Sequence, residues 1–138
     1  MNIPLTITKI QEGLKKKDFS AVELVDAYLN RITTFDDEIN SFITLSDDVA
    51  CEKAKWVDKT IKSLGKDAFK KHPLLGSVVA HKDLFLTKGI RTTAASKVLE
   101  SYVPTYSATV VDRLEDAGCI CIGKTNRMPK FKNSSGGE

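Results

Sequence analysis

His81-Lys82-Asp83 brings three ionisable side chains to the end of an apolar, β-branched run, Ser77-Val78-Val79-Ala80. In open α/β sheets the carboxyl end of a strand is where ligands and catalytic groups collect. A lysine held there in low-dielectric surroundings gives up its proton more easily, because burial disfavours the ammonium, and it can then act as a base. The other reading of the same residues is a Lys-Asp pair stepping into solvent as the strand ends. His81 is expected to pack or to hydrogen-bond, since a base titrating near neutral pH is redundant beside a lysine base.

A second stretch with chemical potential is Ser134-Ser135-Gly136-Gly137. Such a run is either a solvated tail or a loop whose hydroxyls and backbone amides take part in catalysis. Cys51, Cys119, Cys121, His72 and His81 do not form a metal quartet at any recognisable spacing, so no metal is expected. Cys119 and Cys121 stand at i, i+2 in an apolar run, which puts both on one face of a strand. They read as small core residues of a protein in a reducing compartment.

These groups need elements to position them. The first third of the chain reads as helices. Ile7, Ile10 and Leu14 mark a short one ending among Lys15, Lys16 and Lys17. Ser20 and Glu23 form a capping box for a helix over 21–33, with Val22, Val25, Leu29 and Ile32 as its apolar stripe. Ser46 starts a third helix, closed by Gly65, whose stripe is Val49, Ala54, Val57, Ile61 and Leu64, with Trp56 off it. Residues 41–45 are a candidate strand. After Pro73 the pattern changes: 77–80 and 119–122 read as strands, and Ser107 caps a helix over 108–117 that Gly118 stops. Strand, long connection, helix and strand make a βαβ unit with parallel strands. The fold class is therefore α/β, a helical amino-terminal layer over 1–70 followed by the first strands of a mixed, mainly parallel sheet over 71–126. Residues 127–138 read as a flexible basic Ser/Gly tail. Two parallel strands leave edges and faces uncovered, so further strands are expected from elsewhere.

At 138 residues, 41% apolar and 28% charged, the chain is the size of one domain and does not have a disordered composition. Its net charge of +3 lies wholly from residue 124 onward, where Lys124, Arg127, Lys130 and Lys132 face Glu138. Four cations without an aromatic platform are expected to keep a tail in solution rather than to read RNA. Lys9 and Glu12 interrupt any signal-peptide pattern, and no window reaches the roughly 18 apolar residues of a membrane span, so a cytoplasmic location is expected.

Residues 76–126, beginning Gly76-Ser77-Val78-Val79-Ala80-His81-Lys82-Asp83, resemble the amidase signature family. The likeness rests on Lys82-Asp83 after an apolar strand, Gly89-Ile90-Arg91-Thr92-Thr93, Ala95-Ser96-Lys97, Tyr106-x-Ala108-Thr109-Val110-Val111 and Gly123-Lys124-Thr125-Asn126, in order. The segment Ser20 to Leu24 fits the family's helix-rich beginning. Within the family, the pattern is most similar to the glutamine-hydrolysing subunits of tRNA-dependent amidotransferases. Val78 and Met128-Pro129-Lys130-Phe131 depart from the usual family text, which carries a proline and an acidic residue at those places.

The resemblance implies a serine, cis-serine and lysine triad that hydrolyses amides through an acyl-enzyme, with Lys82 as the lysine. It makes Thr92, Thr93 and Ser96 candidates to line the site, or simply to cap a turn. It makes Ser134, Ser135, Gly136 and Gly137 a candidate for the family's Ser/Gly loop. Glutamine is the implied amide donor, and other amidotransferase subunits of B and C type are the implied partners. Aminoacyl-tRNA is reached through the partner. No cofactor is implied in this chain, since ATP and Mg²⁺ serve the partner's half-reaction. The nucleophile and the cis-serine are not identifiable, so a truncated chain, inactive alone, is the expectation, with a split enzyme completed by a second chain as an alternative. A hydrolase acting alone through Ser134 or Ser135, a stand-alone amidase for small amides, and a non-catalytic interaction module are the other readings.

Overall fold

The computed structural model describes residues 3, 4 and 6–126. Its elements are α1 (Ile7–Lys16), α2 (Ala21–Ile39), β1 (Phe42–Leu45), α3 (Asp47–Leu64), α4 (Asp67–Lys71), β2 (Val78–Lys82), a 3-10 turn at Lys97–Leu99, α5 (Thr109–Asp116) and β3 (Ile120–Thr125).

The helix starts follow local chemistry. The Thr6 hydroxyl accepts the Lys9 amide at the head of α1, and Ser20 and Glu23 complete the capping box of α2. α2 runs past residue 33, the end that its apolar stripe predicts. Thr33 and Thr34 turn their hydroxyls back onto the carbonyls of Leu29 and Asn30, and no glycine or proline intervenes before Asn40 ends the helix with a positive φ of 54°. On α3 the buried stripe is Ala50, Ala54 and Val57, while Val49 and Leu64 are 45% and 43% exposed. The stripe thus enters through alanine rather than Val49, which lets α2 and α3 approach closely. Ser46 stands at the start of α3, but its hydroxyl donates to the Cys121 carbonyl (3.2 Å) and ties the helix to β3. α4 has no counterpart among the elements expected from the sequence; it buries Ala68 and Phe69.

Ser107 does not cap α5. Ala108 occupies that position without a side-chain cap, and the Ser107 hydroxyl accepts the Lys88 amide instead (2.9 Å). A distant backbone donor has outcompeted the adjacent helix for this oxygen. Gly118, at φ 96°, closes the turn into β3 as expected, packed so tightly on Leu75 that a Cβ would lie 2.8 Å from its Cα.

The sheet order is β1-β3-β2, with β2 parallel and β1 antiparallel to β3. Being central, β3 is buried from Ile120 to Lys124. β1 crosses closest at Gly123, where a Cβ would stand 2.5 Å from the Thr44 carbonyl oxygen. The core joins α1–α4 to β3 through Ile10, Leu14, Leu24, Val25, Val57, Phe69 and Ile120. Each such side chain contributes about 2 kcal/mol by burial. Trp56 meets the His72 ring edge-on at 5.1 Å with the Lys53 ammonium above it at 4.0 Å. Cys119 and Cys121 are free and buried, and burial pushes the Cys119 thiol up to about 11. No helix among the described residues is long and apolar enough to cross a membrane.

Candidate active site at the strand ends

β2 and β3 end side by side, with His81 in register with Lys124 and Lys82 with Thr125. Residues in register on neighbouring strands project to the same face, so His81 and Lys124 share one face while Lys82 belongs to the other. Lys82 is the last residue of β2, the place the sequence indicated, and it is exposed. The ladder carries on one step further through the Asp83 amide, which donates to the Thr125 carbonyl (2.8 Å).

Asp83 then turns inward and is 2% exposed. Its carboxylate accepts the Thr93 amide (3.1 Å) and the Thr93 hydroxyl (2.5 Å), and its carbonyl accepts the Ala94 amide (3.0 Å). The Thr93 hydroxyl also accepts the Ala95 amide (3.2 Å). These bonds hold Ala94 and Ala95 at φ 49° and 58°, left-handed conformations that cost a residue with a side chain about 1 kcal/mol or more each. The bend that the strain supports passes beside the strand end carrying Lys82.

Under the same bend lies Lys124, fully buried. Its Nζ donates to the Phe85 carbonyl (2.5 Å) and to the hydroxyls of Thr87 and Thr92 (2.9 Å each). Burial draws its pKa below the ordinary lysine value, and the Asp83 carboxylate opposes that shift. Three acceptors for three N–H bonds match a charged ammonium. The basic-tail reading placed Lys124 among solvated cations; the structure corrects this, because β3 runs on through it into the interior. The signal was its position one glycine beyond the apolar run Cys119–Ile122, in strand continuation with Thr125.

His81 is 6% exposed, and its Nε2 has no hydrogen-bond partner among the described residues. Burial, then the neighbouring Lys124 charge, lower its pKa, so it is a neutral packing residue at neutral pH. Thr92 and Thr93 are drawn to the strand ends with their hydroxyls already bonded, Thr92 to Lys124 and the Ile90 carbonyl, Thr93 to Asp83. Ser96 is half-buried at the foot of the 3-10 turn, with its amide on the Thr93 carbonyl (2.8 Å). Arg91, in the sequence only one letter of a motif, stitches this segment to β1 through Thr44 Oγ1 (3.0 Å) and the Ile43 carbonyl (2.8 Å). Ser134, Ser135, Gly136 and Gly137 lie outside the described residues.

A strand-end lysine beside a buried acidic and hydroxyl network can be compared with known proteins. Residues 23–138 match the model of the family described as Amidase. The chain belongs to that family. It is 46% identical over 134 residues to the A subunit of glutamyl-tRNA(Gln) amidotransferase from Azotobacter vinelandii, covering 97% of this chain and 26% of that protein. The corresponding A subunit of Wolbachia pipientis is 46% identical over 131 residues, with 95% of this chain and again 26% of that protein covered. The chain thus spans about a quarter of the length of these relatives. Among solved structures, the peptide amidase of Stenotrophomonas maltophilia superposes with a TM-score of 0.79 at 29% identity, over 88% of this chain and 24% of that one. A fatty acid amide hydrolase superposes equally well, with a TM-score of 0.79 over 90% of this chain and 21% of that one, at 22% identity, a likeness of fold alone.

Proposed function

We propose that this chain contributes the lysine base of an amide-hydrolysing site that releases ammonia from glutamine for a tRNA-dependent amidotransferase. The observation carrying this reading is the placement of Lys82 as the last residue of β2 in an amidase-family chain, between strand and bend. The identities of 41–46% to proteins named as the A subunit support the choice of glutamine as donor.

In this reading the Lys82 amine is the base that takes a proton relayed from a serine hydroxyl. The serine oxygen bonds to the amide carbon, and the C–N bond breaks as ammonia leaves with the returned proton. Water then opens the acyl ester to glutamate and regenerates the hydroxyl. Backbone amides of a Ser/Gly loop, for which Ser134-Ser135-Gly136-Gly137 is the candidate, hold the oxyanion. Among the described residues no serine hydroxyl is hydrogen-bonded to Lys82, and we expect the isolated chain to be inactive. B- and C-type subunits are its proposed partners in the cytoplasm. They would bring aminoacyl-tRNA, and ATP and Mg²⁺ would serve their half-reaction.

A second reading, a stand-alone hydrolase of small amides, draws on the likeness to peptide amidase. Both are tested by ammonia release from glutamine and from a peptide amide, for the chain alone and reconstituted with B- and C-type subunits. Glutamine-specific release that requires those subunits and is lost in Lys82→Ala supports the first reading. Release unaffected by that substitution overturns the assignment of Lys82.

A further inference from the structure

His81 and Asp83 stand two residues apart at the end of β2 and so look to the side of the sheet that also carries Lys124. All three are buried there, His81 and Asp83 at 6% and 2% exposure and Lys124 completely. The acceptors around them are already taken. Lys124 fills its three N–H bonds with the Phe85 carbonyl and the hydroxyls of Thr87 and Thr92, and the Asp83 carboxylate is held by the Thr93 amide and hydroxyl. His81 is left over, its Nε2 enclosed without a hydrogen-bond partner.

A neutral imidazole tolerates this place, whereas an imidazolium does not. Protonation makes both ring nitrogens donors and sets a second cation beside the Lys124 ammonium, where the nearby acceptors are committed. The other ionisable groups around the ring do not absorb that charge. On β3 they are Lys124 itself and the Cys121 thiol, which burial keeps protonated. On α5 the nearest acid is Glu115, whose own pKa burial raises, and β1 carries no ionisable residue over Phe42–Leu45. The remaining carboxylate is Asp83, which an imidazolium would draw away from Thr93.

The bend Thr92–Ser96 depends on that carboxylate and on Lys124. The Thr93 amide and hydroxyl end on the Asp83 side chain, the Ala94 amide on the Asp83 carbonyl, and the Thr92 hydroxyl takes a proton of Lys124. Ala94 and Ala95 are exposed, so they add no apolar anchor, and their left-handed φ values of 49° and 58° favour departure once the bonds loosen.

We infer that protonation of His81 unlatches the bend Thr92–Ser96 from the ends of β2 and β3, which makes the surroundings of Lys82 sensitive to pH. A buried charge is the perturbation, and a strained, hydrogen-bonded bend is the two-state element it biases. The proton comes from solvent and returns to it. The latch works whether or not Lys82 is a base, because its parts lie on the other face of the sheet.

The test is native-state amide exchange of the whole chain by ¹⁵N NMR, with each rate referred to the intrinsic rate at its own pH. A histidine freed by opening titrates near its ordinary 6.5, so protection of the Thr93, Ala94 and Ser96 amides should fall about tenfold between about pH 7.5 and about pH 5.5. These amides should exchange through an opening of their own, less protected than Ala54 and Val57 on α3 and indifferent to low urea because little surface is exposed. His81→Phe should abolish the pH step, and His72→Gln, which replaces the other histidine of the chain, should keep it. Protection that stays flat over this range, a step retained in His81→Phe, or bend amides as protected and as urea-sensitive as those of α3 would overturn the proposal. Should His81→Phe not fold, the C2–H resonance of His81 in the natural chain decides. Titration displaced below 6.5 is expected, and a ring that titrates at 6.5 with the bend still protected would also overturn the latch.

Discussion

The helical layer and the strand-end network satisfy their polar groups in opposite ways. In the helices, the caps lie a few residues apart, Thr6 with Lys9, Ser20 with Glu23 and Asn40 with Asp36, and Asp58 adds one long-range hold on the amides of Ala21 and Val22. At the strand ends, Asp83 reaches Thr93 ten residues on, and Lys124 reaches back 32 to 39 residues to Thr92, Thr87 and Phe85. Damage to a helix cap is confined to one turn. Damage to the network strips donors from several buried groups at once, so the two regions should fail by different amounts and in different ways.

Lys124→Met tests the contrast most severely. It keeps the length and volume of the side chain but leaves the Phe85 carbonyl and two threonine hydroxyls without their donor in the interior. A loss of about 3 kcal/mol is expected from urea unfolding. A loss below about 1 kcal/mol, the cost of a single cap, would mean the network is no more than a local feature.

Acid separates the regions next. The His81 pKa lies below its ordinary 6.5 when folded, so the unfolded chain binds the proton first. Stability from this source is therefore complete above about pH 6.5 and falls as pH drops below it, down to the folded pKa. Glu23, with its pKa below the ordinary 4.5, adds stability that is present above that value and is lost only at lower pH. Two windows are expected in a pH series of unfolding midpoints, the upper one removed by His81→Phe and the lower one left in place. An upper window that survives His81→Phe would assign it to another group.

The same contrast governs what could be read from the sequence. Caps, stripes and stop residues are short-range signals, and they located α1, α3, the start of α2 and the parallel pairing of β2 with β3. The misreadings arose where a long-range partner overrode a local one. Ser107 looks like a cap until Lys88 claims its oxygen, and Ser46 starts α3 while its hydroxyl serves β3. Lys124 looks like a solvated cation because nothing near it in sequence announces Thr87, Thr92 and the Phe85 carbonyl. The position of Lys82 was legible because strand ends are local; the bonded state of Thr92 and Thr93 was not, because Lys124 and Asp83 lie 32 and ten residues away.

Ser20→Ala, in the helical layer, removes the hydroxyl that accepts the Glu23 amide (3.1 Å) and should cost about 1 kcal/mol in thermal or urea unfolding. Asp58 still holds the amides of Ala21 and Val22, so the helix start stays anchored and the loss should not spread. Amide exchange should quicken over the first turn of α2 and remain unchanged at Thr93 and Ala94. Exchange rising equally in both places would show that the two regions unfold as one unit.

The smallest expected effect on stability belongs to the residue with the largest expected effect on chemistry. Lys82 is exposed and lies on the opposite face of the sheet from Lys124, so Lys82→Ala should shift the unfolding midpoint by no more than about 0.5 kcal/mol. The network beneath it would remain intact, with Thr93 amide exchange as the readout. A side chain that the fold can lose without penalty, at a strand end the fold holds with a buried ammonium, a buried carboxylate and two strained alanines, is what the proposed role as a base requires. A destabilisation comparable to that of Lys124→Met would remove this distinction and make Lys82 part of the scaffold.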